Sequence, residues 1–242
     1  MKLTKLAAAC GLGLSLGASV SVMAGELSAN IGAVSNYMWR GVTQTQDDPA
    51  IQGGIDYAFD SGFYLGTWVS NVDFGSSKPN YELDGYGGYG GEFGDFSYDL
   101  NAIYYAYPDA GGDADFFELG ASGSWKFLTV GLAYTAWGEV SDGPFDSGDL
   151  YYYGSVEIPL PQEFTLGATL GYYDFDDDKA FYQASDGTIR SKSLDYTNWG
   201  VNVSKDVGEF GTFSLSYGQN DGSTKIGYDD DAKFWVGWLK EF

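Results

Sequence analysis

The chain predicts an all-β fold: one antiparallel transmembrane β-barrel, with twelve strands and both termini on the periplasmic side. Three observations carry that expectation. Apolar and polar side chains alternate in segments of about ten residues, the length at which a tilted strand crosses a bilayer. Short and long connectors take strict turns along the chain. Charge is almost confined to one face of the segments.

The first 24 residues read as a secretory signal rather than as structure. Lys2 and Lys5 give a basic start, Leu6 to Val22 is a short apolar stretch broken by Gly11, Gly13 and Gly17, and Val22-Met23-Ala24 offers small residues for cleavage. Cys10 lies inside this stretch, and an Ala-Ala-Ala-Cys lipoprotein reading would leave almost no apolar region before the cysteine. The domain is therefore expected over residues 25–242.

Twelve segments follow in order. Segment 27–36 carries Asn30 inward, and 50–59 carries Gln52 and Asp56. Segment 63–72 is ambiguous, because Phe63-Leu65-Val69 and Tyr64-Trp68-Val72 both make plausible outer faces. Segment 81–90 turns Glu82 and Asp84 inward and continues into alternating Gly and Tyr. Segment 96–106 sets Phe96, Tyr98, Leu100, Ala102 and Tyr104 against Ser97, Asp99 and Asn101. Segment 116–125 brings Glu118, and 128–137 opposes Leu128, Val130, Leu132 and Tyr134 to Thr129, Gly131, Ala133 and Thr135. Segments 149–158 and 164–173 hold Tyr151, Tyr153, Glu157 and Tyr173 inward, and 195–204 holds Asn198 and Asn202. After 212–218, segment 233–242 ends the chain, with Phe234, Val236, Trp238 and Phe242 on one face.

The connectors support the same architecture. Residues 60–62, 91–95, 126–127, 159–163 and 205–211 are short, whereas 37–49, 73–80, 107–115, 138–148, 174–194 and 219–232 are longer and polar. Bacterial barrels show this contrast between tight periplasmic turns and long external loops. Lys240 is the one charge expected on the lipid side, near a strand end, where a basic residue costs only about 0–1 kcal/mol. Tyr57, Phe59, Phe63, Tyr81, Phe96, Tyr104, Trp125 and Tyr172 gather toward strand ends, as an interfacial girdle would. A water-soluble barrel would reverse the two faces, but offers no reason for the alternating connectors.

Composition narrows the function. Removal of Lys2 and Lys5 leaves ten basic against 34 acidic residues, a net charge near −24. That charge excludes nucleic acid as a partner, which needs basic patches. Aromatics at 18% are too many for a disordered acidic chain. The mature chain has neither histidine nor cysteine. Enzymes of barrel form rely on His as a base, so no enzymatic activity and no cofactor are expected.

Two motifs yield to plainer readings. Gly85-Tyr86-Gly87-Gly88-Tyr89-Gly90 fits a dinucleotide fingerprint, but another strand follows it rather than a helix. Asp174-Phe175-Asp176-Asp177-Asp178 imitates half a calcium loop, yet Lys179 stands where the turn needs Gly. That run and Asp229-Asp230-Asp231 read as solvated loops, with weak divalent binding beside lipopolysaccharide phosphates as the functional alternative.

The stretch from Ser28 to Thr45, with Tyr37-Met38-Trp39-Arg40-Gly41 at its centre, resembles the opening of the TorF-type porins of proteobacteria. Tyr64 to Val72 and Gly88 to Phe96 are similar to that family's next two blocks. The resemblance spans the mature chain and implies an outer-membrane barrel with a pore. The family's own function is largely unassigned, so no ligand or catalytic residue carries over. Lys240, third from the end, departs from the aromatic often found there.

These readings combine into one expectation: a porin-like channel in the cell outer membrane, passing small hydrophilic solutes or cations among lipid and lipopolysaccharide. Asp56, Glu82, Asp84, Asp99, Glu118 and Glu157 would line a narrow, cation-preferring pore, since rings of one charge select ions. Arg40, placed near the outer end of the first strand, would oppose them across a constriction or simply cap a loop. The alternative is a non-conducting barrel that anchors structure or binds a surface partner through its acidic loops.

Overall fold

The computed structural model describes residues 25–75, 79–112, 114–140, 143–176, 179–224 and 227–242. Residues 1–24, expected to be a secretory signal, and Asp177 and Asp178 of the acidic run lie outside the described residues. Among the described residues sixteen strands occur in chain order: β1 (Glu26–Val34), β2 (Met38–Trp39), β3 (Val42–Thr43), β4 (Ala50–Ala58), β5 (Phe63–Asn71), β6 (Tyr81–Phe93), β7 (Phe96–Ala106), β8 (Phe116–Trp125), β9 (Leu128–Gly138), β10 (Leu150–Leu160), β11 (Phe164–Asp174), β12 (Lys179–Gln183), β13 (Ile189–Ser193), β14 (Tyr196–Asp206), β15 (Thr212–Asn220) and β16 (Lys233–Glu241).

Twelve of them form one closed antiparallel barrel, and β2–β3 and β12–β13 are separate two-stranded hairpins in long loops. Closure comes from β1, which pairs with β4 on one side and β16 on the other, Val34 opposite Gly237 and Asn30 opposite Glu241. A closed sheet leaves no unpaired edge, the condition for β-structure in hydrocarbon. The first described residues and the last lie together at the short-turn end, where the Gly25 amide donates to Asp60 and the Phe242 amide to Ala29.

The face assignments agree with the alternation. Leu27, Ile55, Leu100, Val130, Leu170, Leu215 and Val236 are exposed on the outside. Segment 63–72 is no longer ambiguous: Phe63, Leu65 and Val69 face out, while Trp68 and Ser70 are buried within. Lys240 reaches back to donate to the Glu209 carbonyl at 2.6 Å, so its charge sits at the barrel's rim. β6 runs three residues further than expected, to Phe93. It turns through Gly94 and Asp95 alone, because Gly94 at φ +65° admits a two-residue hairpin.

The core lies inside the barrel and only at the long-loop end. Tyr37, Trp39, Trp68, Tyr105, Phe116, Tyr151, Tyr173 and Phe175 are buried there in one cluster. Loop 37–49, expected to stand outside with the other long connectors, supplies its centre.

Candidate functional site

The hairpin β2–β3 folds into the lumen. Its base is clasped by Asn36, whose amide donates to Asp47 at 2.6 Å while its carbonyl oxygen accepts from Thr43 at 2.7 Å. Lys233 ties Asp47 to the start of β16 at 2.6 Å. At the tip, Trp39 pairs with Val42 across Arg40 and Gly41, both at positive φ (+47° and +82°). Such two-residue turns favour glycine, and an L side chain in the left-handed region costs about 1–2 kcal/mol. Gly41 is also needed for space, since a Cβ there would stand 2.5 Å from Asn198 Cβ, and its carbonyl accepts from Asn220 at 2.8 Å.

Arg40 meets Glu118 in a fork, Nη1 to Oε1 at 2.8 Å and Nη2 to Oε2 at 2.7 Å. Its guanidinium lies 4.2 Å from the Trp39 ring centre and 4.4 Å from that of Tyr151. Cation–ring contacts of this kind are worth about 0.5–2 kcal/mol, most where water is excluded. Tyr105 adds a hydroxyl to Glu118 Oε2 at 3.2 Å. Beside Glu118, β9 carries one extra residue, Ala136, a bulge of the sort that re-aims neighbouring side chains.

A second loop covers the first. Phe145, from the connector between β9 and β10, packs 5.6 Å from Trp39 and 5.0 Å from Phe116. Asp149 holds it, accepting from the Phe145 amide at 2.7 Å and from the Asp176 amide at 3.0 Å. Burial pushes the Asp149 carboxyl up to about 6, partly offset by those backbone donors. Burial likewise raises the Tyr37 phenol far above its ordinary value, and the nearby Glu82 and Asp84 add to the rise. A gap of about 30 Å³ beside the hairpin is lined by Met38, Arg40, Tyr151, Asn198 and Trp235, room for no more than a few waters.

Burial divides the six inward acids. Glu82, Asp84 and Glu118 are buried at the long-loop end. Asp56 and Asp99 are half-buried toward the short turns, and Glu157 is exposed in the inward row of β10. Asp56 accepts from the Tyr86 hydroxyl, and Asp99 accepts from Tyr64 at 2.8 Å and from Asn101 at 2.7 Å. The interior thus has a packed half and a polar, more open half.

Arg40 differs from its expected position. It lies beyond the end of β1, at the tip of the inserted hairpin, because β1 stops at Val34 and the chain turns inward. Its place opposite an acid is found, and the acid is Glu118. Sequence reasoning missed Tyr37 and Trp39 as interior residues. The available signal was the large apolar start of loop 37–49, Tyr37-Met38-Trp39, just before Arg40-Gly41. In the Asp229–Asp231 run one oxygen from each residue lies within 4.8 Å of the others, but Asp229 is already paired with Lys233 at 2.6 Å.

Fold and site together define a class: a closed, twelve-stranded antiparallel barrel with a loop hairpin seated in one mouth. The chain belongs to Gcw_chp, a bacterial protein family of unknown function, whose model matches residues 19–236. No curated protein matches it. Among solved structures it is similar to the KdgM porin (TM-score 0.54, 13% identity, covering 89% of this chain and 99% of that one). It is similar also to the NanC porin (0.53, 13%, 88% and 98%) and to an outer-membrane channel from Pseudomonas putida (0.52, 12%, 93% and 98%). At such identities the likeness is one of fold.

Proposed function

We propose that this protein is an outer-membrane channel for passive diffusion of small hydrophilic solutes, cation-preferring, with a loop hairpin closing its outer mouth. The observation that carries this reading is the split interior. Behind the inserted hairpin lies a polar half-lumen lined by Asp56, Asp99 and Glu157, with Glu82, Asp84 and Glu118 at the packed level. Twelve strands enclose a passage between the filled interior of eight and the open channel of sixteen. The hairpin is tied to the wall by side chains and loop hydrogen bonds, not by the barrel ladder, so it can leave without opening the sheet. Long loops then face outward beside lipopolysaccharide, both termini face the periplasm, and the resemblance to the TorF-type porins is in keeping with the same role. Without a histidine base, enzymatic chemistry has no support.

Planar-bilayer recording tests the reading. Purified protein gives small conductance steps favouring K⁺ over Cl⁻, and Asp56→Asn with Asp99→Asn reduces that preference; an unchanged reversal potential removes both residues from the role. The packed cluster around Trp39 favours a second reading, a non-conducting barrel with a structural or surface-binding role. Silence from the wild type and from hairpin-loosened variants alike would favour that second reading.

A further inference from the structure

Two carboxylates at the packed end have no partner of opposite charge among the described residues. Glu82 and Asp84 take successive inward positions of β6, each 2% exposed. Their neighbours across the ladder are neutral: Ser70 beside Glu82, and Trp68 and Tyr105 beside Asp84. Arg40 has both its terminal nitrogens on Glu118. Glu82 Oε2 and Asp84 Oδ1 make no hydrogen bond within the protein. The buried hydroxyl of Tyr37 likewise has no partner at good hydrogen-bond geometry, though it interacts with Glu82, and its ring lies 5.4 Å from that of Trp68, the ladder neighbour of Asp84. A buried carboxylate without a basic partner either takes up a proton or binds a metal.

We propose that Glu82, Asp84 and the Tyr37 hydroxyl bind one divalent cation of the calcium class. Ionised together, the pair would carry two negative charges, which one such ion would balance in place of two protons. Every available donor is a hard oxygen, with no nitrogen or sulfur ligand that would favour a transition metal. Two carboxylates bound through both oxygens offer four ligands and Tyr37 a fifth. Ca²⁺ accepts such irregular, incomplete sets, completing them with water, whereas Mg²⁺ demands near-octahedral geometry. Tyr37 stands at the root of the hairpin and the carboxylates stand on the wall, so the ion would fasten one to the other. The inference is independent of conduction.

Terbium luminescence, sensitised by nearby Tyr and Trp, reads the site directly in the detergent-solubilised full barrel. The wild type should show a saturable Tb³⁺ component displaced by Ca²⁺. E82Q/D84N should weaken it at least tenfold, and Y37F by a few fold. D229N/D230N/D231N, which removes the exposed acidic run, should leave it intact. Heat-modifiable gel mobility reports folding, and the single variants E82Q and D84N stand in if the double variant fails to fold. As a measurement on the wild type alone, its thermal midpoint should be higher in millimolar Ca²⁺ than in EDTA. The proposal is overturned if E82Q/D84N titrates like the wild type. Loss of the signal in the loop variant, or a midpoint indifferent to Ca²⁺, overturns it equally, the second meaning that protons alone neutralise the pair.

Discussion

Arg40 and Glu118, 78 positions apart in the chain, meet inside the barrel in a two-point ion pair, their side chains 8% and 2% exposed. Taking both charges out of water costs several kcal/mol, and the fork geometry, the Tyr105 hydroxyl and the flanking rings offset it. The pair is the point where the hairpin is held.

Removing one partner should therefore be worse than removing both. Arg40→Met leaves Glu118 buried and unpaired, and Glu118→Gln strands the guanidinium. Each should destabilise the closed hairpin by about 3–5 kcal/mol and raise open probability in bilayers. The double variant R40M/E118M should recover much of that loss. A double-mutant cycle on thermal midpoint and conductance measures the coupling; strict additivity would show that the pair contributes nothing as a unit.

Gly41→Ala should loosen the hairpin for two separable reasons. Its φ of +82° costs any L side chain about 1–2 kcal/mol, and the new methyl meets Asn198 at the wall. Gly111, at φ +72° with nothing within 4 Å of an added Cβ, supplies the control for backbone strain alone. Gly41→Ala should lower the midpoint more than Gly111→Ala, and only the former should change conductance.

Trp39→Ala removes the ring that Tyr105, Phe116, Phe145 and Tyr173 surround. Truncating a buried Trp costs about 3–5 kcal/mol. Chemical denaturation should show that loss, and channel recording should show a larger or longer-lived open state.

The loop over the hairpin should respond to acid. The Asp149 carboxyl, raised from 3.8 to about 6, binds a proton more readily folded than unfolded. Its contribution to stability is then complete below the ordinary carboxylate value and fades as pH rises through about 6. Thermal midpoints measured from pH 4 to 7 should fall with rising pH in the wild type, and Asp149→Asn should flatten that fall.

The barrel itself was open to reading from local pattern. Leu128, Val130, Leu132 and Tyr134 lie outside together because side chains on a strand alternate between its two faces with a period of two residues. Strand ends agreed within a few residues, and the two-residue turn at Gly94 moved only one connector. Segment 63–72 had two plausible outer faces, and pairing with β4 and β6 selected between them.

By itself, then, the sequence determined the strands, their faces, the alternation of turns and loops and the acids that point inward, because each follows from spacing along a few neighbouring residues. The tertiary structure alone decided that loop 37–49 enters the mouth, that Arg40 finds Glu118, and that Glu82 and Asp84 are buried with no basic partner among the described residues. Those outcomes depend on which side chains converge once the sheet has closed. Partners separated by tens of residues leave no periodic trace in the chain.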